Sequence, residues 1–121
     1  MSSDVTGASG LAGRYATALF ELSEEEKQLD QVASDLNKIK AMLNDSDELR
    51  RFIKSPIIAR EDQQKAMQAL LKEAKIGQLT RNLIGIVIDN RRLRSLSSII
   101  NGYFALLAQA RGETTAEVIS A

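Results

Sequence analysis

The chain contains no cysteine, no histidine and no tryptophan, and it has a single proline. The absence of cysteine and histidine excludes disulfide bonds, thiolate nucleophiles, imidazole bases and the usual zinc sites. The N-terminus lacks the basic start and apolar core of a secretory signal, so we expect a non-secreted protein. The longest apolar runs, such as residues 83–88, have about six residues, whereas a membrane-spanning helix needs roughly twenty. We therefore expect no direct insertion into a membrane.

Neither sign of charge is in excess, because 16 Lys and Arg residues balance 16 Asp and Glu residues. A chain without a net positive field has no general attraction for nucleic acid, so we expect no nucleic-acid partner. The length of 121 residues and the apolar fraction of 44% are those of one folded domain with a real core.

Apolar residues recur at three- and four-residue spacing from Leu11 onward, which predicts an all-α chain. We expect a flexible leader at residues 1–10, a six-helix bundle at residues 11–112, and the start of a linker or C-terminal domain at residues 113–121. Ser23 with Glu26 predicts the end of the first helix and a capping box for the second. Pro56 should end the third helix, and Gly77 should cap the fourth.

Several polar clusters resemble chemical sites until their spacing is examined. Three glycines within residues 7–13 lack the lysine and hydroxyl of a phosphate-binding loop. The acidic residues at 45–48 lack the glycine and the distant glutamate of a calcium loop, and Asp45 with Glu48 is better interpreted as a helix cap. These patterns predict no metal and no cofactor.

Two charged clusters have equally simple interpretations. Residues 24–26 are three glutamates that we place at the start of the second helix, where negative charge is stabilised by the helix dipole. Arg91, Arg92 and Arg94 suit the C-terminal end of the fifth helix for the same reason. Both clusters therefore predict helix ends and no catalytic group.

The first and fifth helices carry more apolar surface than one side of a small bundle needs, which is an arc of slightly over 100°. At about 100° per residue, the arc bounded by Ala18 and Phe20 and the arc bounded by Ile86 and Ile88 each cover about 200°. Either both helices are central in the core, or each presents part of its arc to a partner. Two exposed edges would form a groove for an amphipathic helix, bound by apolar contacts that depend weakly on salt.

The segment R-Y-A-T-A-L-F at residues 14–20 resembles the opening of the delta subunit family of bacterial F-type ATP synthase. The mitochondrial counterpart of that family is the oligomycin-sensitivity-conferring protein. Ser55-Pro56, the segment N-R-R-L at residues 90–93 and the segment A-E-V-I-S-A at residues 116–121 extend the resemblance over residues 11–121.

The resemblance implies a six-helix N-terminal domain, followed by a smaller domain that starts near Val118 and contacts the peripheral-stalk b subunits. It implies a non-catalytic stator subunit without cofactors, held at the cytoplasmic face of the bacterial inner membrane within the synthase complex. The subunit would anchor the catalytic head to the stalk against rotor torque during proton-driven ATP synthesis.

The resemblance also implies that the N-terminal amphipathic helix of an alpha subunit binds in a groove between the first and fifth helices. The groove residues that the resemblance implies are Tyr15, Ala18 and Ile86. Leu22 and Leu83 lie at similar angles on the two helices and are the next candidates. The predicted groove also includes Arg14, Asn82 and Asn90. The other sides of the two arcs, with Ala16, Phe20, Ile84 and Ile88, should face the core. Arg91 stands where this family is expected to have a glycine.

Two other functions remain open. An unrelated helical adaptor would use the same groove for a different amphipathic helix. An enzyme would need a catalytic set of carboxylates, lysines, tyrosines or serines, and the sequence contains no recognisable arrangement of these residues.

Overall fold

The computed structural model describes residues 10–112, and this part of the chain contains helices and turns without a β-strand. The six α-helices are α1 (Gly10–Glu25), α2 (Leu29–Asp45), α3 (Asp47–Lys54), α4 (Arg60–Glu73), α5 (Gln78–Asp89) and α6 (Leu96–Arg111). A short 3-10 turn at Leu93–Ser95 precedes α6. The predicted all-α class and the number of helices are confirmed. Residues 1–9 of the predicted leader and the residues around Val118 lie outside the described part, and Gly10 is the first residue of α1.

The chain divides into two compact units. The first unit contains α1 and most of α6, with Tyr103 fully buried. The Tyr103 ring meets Phe20 edge to face, with ring centroids 5.9 Å apart. The Tyr103 hydroxyl donates to the Leu29 carbonyl oxygen at 2.9 Å. A buried tyrosine therefore has both its ring and its hydroxyl satisfied within this unit.

Ser23 lies inside α1, so the predicted capping box at residues 23–26 is wrong. The Ser23 side chain is fully buried, and its Oγ donates to the Phe20 carbonyl oxygen at 2.9 Å. The same Oγ lies 3.3 Å from the Tyr103 hydroxyl. Because the hydroxyl bonds within the helix and to a partner in the unit, Ser23 does not start a new helix.

α1 extends further along the chain than the sequence pattern predicts, and Lys27 terminates it. This lysine has φ of 59°, and Gln28 N–H donates to the Ser23 carbonyl oxygen at 2.7 Å. This is a Schellman motif, which closes a helix through one left-handed residue. Glycine is the usual residue at that position, and a lysine there gives no sequence signal.

The second unit, Asp30–Ser97, has its core between the apolar sides of its helices. The fully or almost fully buried side chains of its main helices are Val32, Leu36, Ile39, Met67, Leu71, Ile84, Val87 and Ile88. Asp35 is also fully buried. Its carboxylate accepts from Gly77 N–H at 3.0 Å, from the Thr80 hydroxyl at 3.1 Å and from Gln31 Nε2 at 2.9 Å. A carboxylate from α2 thus caps the positive N-terminal end of α5.

Side chains at four-residue spacing on α4 hold α5 through its backbone. Arg60, Gln64 and Gln68 donate to the carbonyl oxygens of residues 89, 85 and 81 at 2.9, 2.8 and 3.2 Å. The donors advance along α4 while the acceptors recede along α5, so the two helices are antiparallel. We call these three bonds the α4–α5 ladder.

Two predicted caps are wrong in detail. Ser46, not Asp45, caps α3, because its Oγ accepts from Leu49 N–H at 3.0 Å. Gly77 has φ of −65° and precedes α5, whereas the left-handed residue that ends α4 is Lys75 with φ of 62°. The predicted stop at Pro56 is confirmed, because α3 ends at Lys54. Gly112, with φ of 67°, follows the last residue of α6.

Candidate functional site

α1 has an exposed apolar edge beside its buried side. Ala18 and Leu22 are exposed, Leu22 by 40%, and Arg14 continues the same line of four-residue spacing toward the N-terminus. Ala16 and Leu19 are fully buried. The wide apolar arc of this helix is therefore divided between core and surface, as one of the two interpretations of the sequence requires.

Two aromatic residues of α1 lie between these extremes. Tyr15, implied as a groove residue, is half-buried. Phe20, expected in the core, is also half-buried, and its ring contacts Tyr103 of the same unit. Tyr15 therefore borders the exposed edge, whereas Phe20 lies at the opposite boundary of the apolar arc and packs partly inward.

α5 shows the same division. Ile86 is 50% exposed, and Asn82, one turn earlier, is exposed as well. Ile84 and Ile88 are 1% and 0% exposed, as expected for core residues. Leu83 is only 6% exposed, so it belongs to the core and not to the exposed edge that its helical angle predicts. Its direction is nearer to that of the buried Val87 than to that of Ile86, which explains the difference.

The α4–α5 ladder further narrows the free surface of α5. It covers the side of the helix that carries residues 81, 85 and 89. At about 100° per residue, the strip left between the ladder and the core spans about 60°, from Asn82 through Ile86 to Leu79. Asn90, beyond the last turn, is exposed. One large apolar side chain, Ile86, dominates this strip.

The exposed edges of α1 and α5 offer apolar surface for contact with a partner and few polar groups that could take part in catalysis or metal binding. The Asn82 side chain is already engaged, because its Oδ1 accepts from Gln78 Nε2 at 2.8 Å. Within residues 10–112, no group of three carboxylates is placed to hold a metal ion. No helix in the same range is both long and apolar enough to span a membrane.

A comparison with known protein families identifies the family of the chain. The family described as "ATP synthase delta (OSCP) subunit" matches residues 11–121. The chain belongs to this family.

Among curated relatives of this delta-family chain, ATP synthase subunit delta of Parvibaculum lavamentivorans is 58% identical over 113 residues, covering 93% of this chain and 58% of the relative. The protein of the same name from Rhodospirillum centenum is 50% identical over 121 residues, covering 100% of this chain and 65% of the relative. The chain thus spans about three fifths of the length of these relatives.

In this delta-family chain, Arg91 occupies the position at the end of α5 where a glycine is expected, and it adopts the backbone conformation that glycine would take. Arg91 has φ of 60°, and Arg92 N–H donates to the Val87 carbonyl oxygen at 2.9 Å in a Schellman motif. The left-handed residue at the end of α5 is thus Arg91. Arg91 Nη1 also donates to the Ile58 carbonyl oxygen at 3.4 Å, which ties the end of α5 to the loop after Pro56.

The C-terminal end of α1 carries an acidic surface. The sequence pattern places its glutamates in the second helix, which is wrong. Glu24 and Glu25 lie in the last turn of α1 and not in the first turn of α2. Together with Glu21, they line an open depression around Ala18 and Leu22. We call this set of three glutamates and two apolar residues the acidic end of α1. The sequence does not predict that these glutamates belong to α1, because the left-handed residue that ends the helix is a lysine and not a glycine.

A second apolar depression in the unit Asp30–Ser97 has no counterpart in the sequence analysis. Its lining includes five half-buried apolar side chains, namely Met42, Leu49, Phe52, Ile58 and Leu70. They come from helices α2, α3 and α4 and from the loop after Pro56. Periodicity within single helices does not reveal such a surface, because each residue also fits the buried side of its own helix.

Proposed function

We propose that the protein is a non-catalytic stator subunit in the peripheral stalk of an F-type ATP synthase. Membership of the delta family and its relatives' name, ATP synthase subunit delta, support this role. The subunit would hold the catalytic head against rotor torque, as a peripheral component at the cytoplasmic face of the bacterial inner membrane. The part of the relatives that this chain does not cover would contact the b subunits.

The proposed partner of the described residues is the N-terminal amphipathic helix of an alpha subunit, bound through the exposed apolar edges of α1 and of α5. One observation carries this proposal: Leu22 and Ile86 remain 40% and 50% exposed on helices whose other sides are already filled. Burying a fully exposed Leu or Ile side chain contributes about 1.5–3 kcal/mol, so covering the part of Leu22 or Ile86 that is still exposed contributes roughly half of that. The fifth helix would contribute Ile86 and Asn82, and Leu83 would support them from the core.

A titration with the N-terminal peptide of the cognate alpha subunit tests this proposal, followed through backbone amide shifts by NMR. We expect saturable shifts on residues 14–22 and on residues 82–90. The absence of shifts at millimolar peptide would contradict the proposal.

An unrelated amphipathic peptide of equal length and apolar content provides the control. We expect it to cause much smaller shifts at the same concentration. Equal affinity for the two peptides would favour a general helical adaptor over a dedicated stator subunit.

A further inference from the structure

The acidic end of α1 has charges that no group in the described chain neutralises. Glu21, Glu24 and Glu25 are exposed and surround Leu22, which is itself 40% exposed. None of the three glutamates forms an ion pair within residues 10–112, where the observed pair joins Arg50 to Asp47.

The position of these charges opposes the electrostatics of the helix. The C-terminal end of an α-helix carries partial negative charge, so carboxylates there are destabilising and cations are favoured. α3 and α4 follow this preference, with acidic residues in the first turn and basic residues in the last. α1 has no acidic residue in its first turn, no basic residue in its last turn, and two glutamates in that last turn. A local arrangement that lowers stability is expected where a surface serves binding.

We propose that the exposed edge of α1 receives an amphipathic helix whose lysine or arginine side chains lie over the acidic end of α1. An apolar side chain of the same helix packs against Leu22 and Ala18. This inference rests on the proposed function and adds to it the charge of the partner helix and the direction in which that helix lies.

Arg14 fixes the direction. It is exposed on the same line as Ala18 and Leu22, at the opposite end of α1 from the glutamates. Arg14 and Glu25 are separated by 11 residues, which corresponds to about 16 Å along a helix axis. A helical partner that matches both ends carries cations over Glu21 and Glu25 and an acidic or polar residue about 16 Å away, over Arg14.

Other binding partners do not fit these charges. An anionic membrane surface attracts basic segments and would be repelled by three carboxylates. Nucleic acid is excluded for the same reason. A cationic amphipathic helix satisfies the exposed leucine and the glutamates together.

The charges should make binding depend on salt, unlike binding through the apolar arcs alone. Exposed charges interact over a Debye length of about 30 Å at 0.01 M salt and about 3 Å at 1 M. Complementary charges at the rim of an interface mainly raise the association rate at low salt. The apolar contact with Leu22 should remain at high salt, so affinity should fall with salt without being lost.

The test measures the dissociation constant of the alpha-subunit N-terminal peptide by calorimetry at low and high salt. The variant is the full chain with Glu21→Gln and Glu25→Gln together. The matched control is Glu73→Gln, because Glu73 is the last residue of α4 and is also exposed at a helix C-terminus. We expect the double variant to bind about tenfold more weakly at low salt and to lose most of its salt dependence. The control should bind like the unmodified chain.

Each outcome separates the inference from the proposed function. Equal, salt-independent affinity of the double variant and the unmodified chain would overturn the inference and leave the stator role in place. Complete absence of peptide binding to the unmodified chain would overturn both. Concentration-dependent dimers that disappear in the double variant would identify a second copy of this chain as the occupant and overturn the inference. A peptide with every Lys and Arg replaced by Gln should reproduce the loss seen with the double variant.

Discussion

At the scale of single residues, buried polar groups and left-handed positions determine where the helices begin and end. Asp35 is fully buried, yet it has three hydrogen-bond donors around its carboxylate. Lys27, Lys75 and Arg91 take φ values near 60° that are usual for glycine. Each of these residues acts on a helix end through geometry that its neighbours in the sequence do not reveal.

Asp35→Ala should lower the free energy of unfolding by about 2–4 kcal/mol, because it leaves the Gly77 N–H and the Thr80 hydroxyl without their acceptor in a buried site. Urea unfolding followed by circular dichroism would measure the loss. Asn37→Ala, at an exposed position of the same helix, should change the midpoint by much less. Equal effects of the two substitutions would show that the buried carboxylate does not hold α5.

Arg91→Gly should raise the free energy of unfolding by about 0.5–1 kcal/mol, because glycine removes the strain of a side chain at φ of 60°. The gain is partly offset by losing the weak bond to the Ile58 carbonyl. Thermal melting would show the difference. Ala69→Gly, inside α4, should instead lower stability by about 1 kcal/mol. A destabilised Arg91→Gly protein would show that the bond to Ile58 outweighs the strain.

At the scale of whole helices, each wide apolar arc serves two purposes. α5 contacts the core through Val87 and Ile88, receives the α4–α5 ladder on a second side, and exposes Ile86 on the remaining strip. Two isoleucines two residues apart therefore have opposite environments, and substitution of each should separate binding from folding.

Ile86→Asp should abolish binding of the alpha-subunit peptide while helicity and melting temperature remain nearly unchanged, because a half-exposed side chain can place a carboxylate in water. Calorimetry and circular dichroism would measure the two properties on the same sample. A collapsed fold would show that Ile86 belongs to the core.

Ile88→Asp should do the reverse and unfold the second unit, because it places a charge in a fully buried site. Circular dichroism and loss of amide dispersion by NMR would detect it. A stable Ile88→Asp protein that has lost peptide binding would show that Ile88, and not Ile86, lies on the binding surface.

Sequence periodicity predicts the helices well because each carries a continuous apolar side, as with Val32, Leu36 and Ile39 in α2. Helix ends are less predictable where the cap is distant, since Asp35 lies more than forty residues before the helix it caps. Periodicity also cannot divide a wide arc, so Leu83 and Ile86 receive the same prediction although only Ile86 is exposed. The glutamates at residues 24–25 are misassigned because a lysine occupies the position where glycine would have marked the helix end.

At the scale of the whole molecule, the chain consists of two compact units and spans about three fifths of its relatives. Its exposed apolar residues lie in both units, with Leu22 in the first and Ile86 in the second. The proposed function therefore assigns the alpha-subunit contact to these residues and the b-subunit contact to the part of the relatives that this chain does not cover.

The 121-residue chain should bind the alpha-subunit peptide but not the soluble part of a b subunit, whereas a version extended to the length of its relatives should bind both. Analytical ultracentrifugation of each mixture would measure complex formation. The alpha peptide should bind to the two versions with similar affinity. Tight binding of the b subunit to the short chain would contradict this division of contacts.

The α4–α5 ladder has a consequence for how this surface can evolve. Its acceptors on α5 are main-chain carbonyl oxygens, which every amino acid supplies. Even at Gly85, an added Cβ would meet Gln68 Nε2 at 3.5 Å, an ordinary contact distance. Mutations on α5 can thus accumulate without detaching it from α4. A lineage can change the residues around Ile86 to follow a changing partner while the helix beneath them stays fixed.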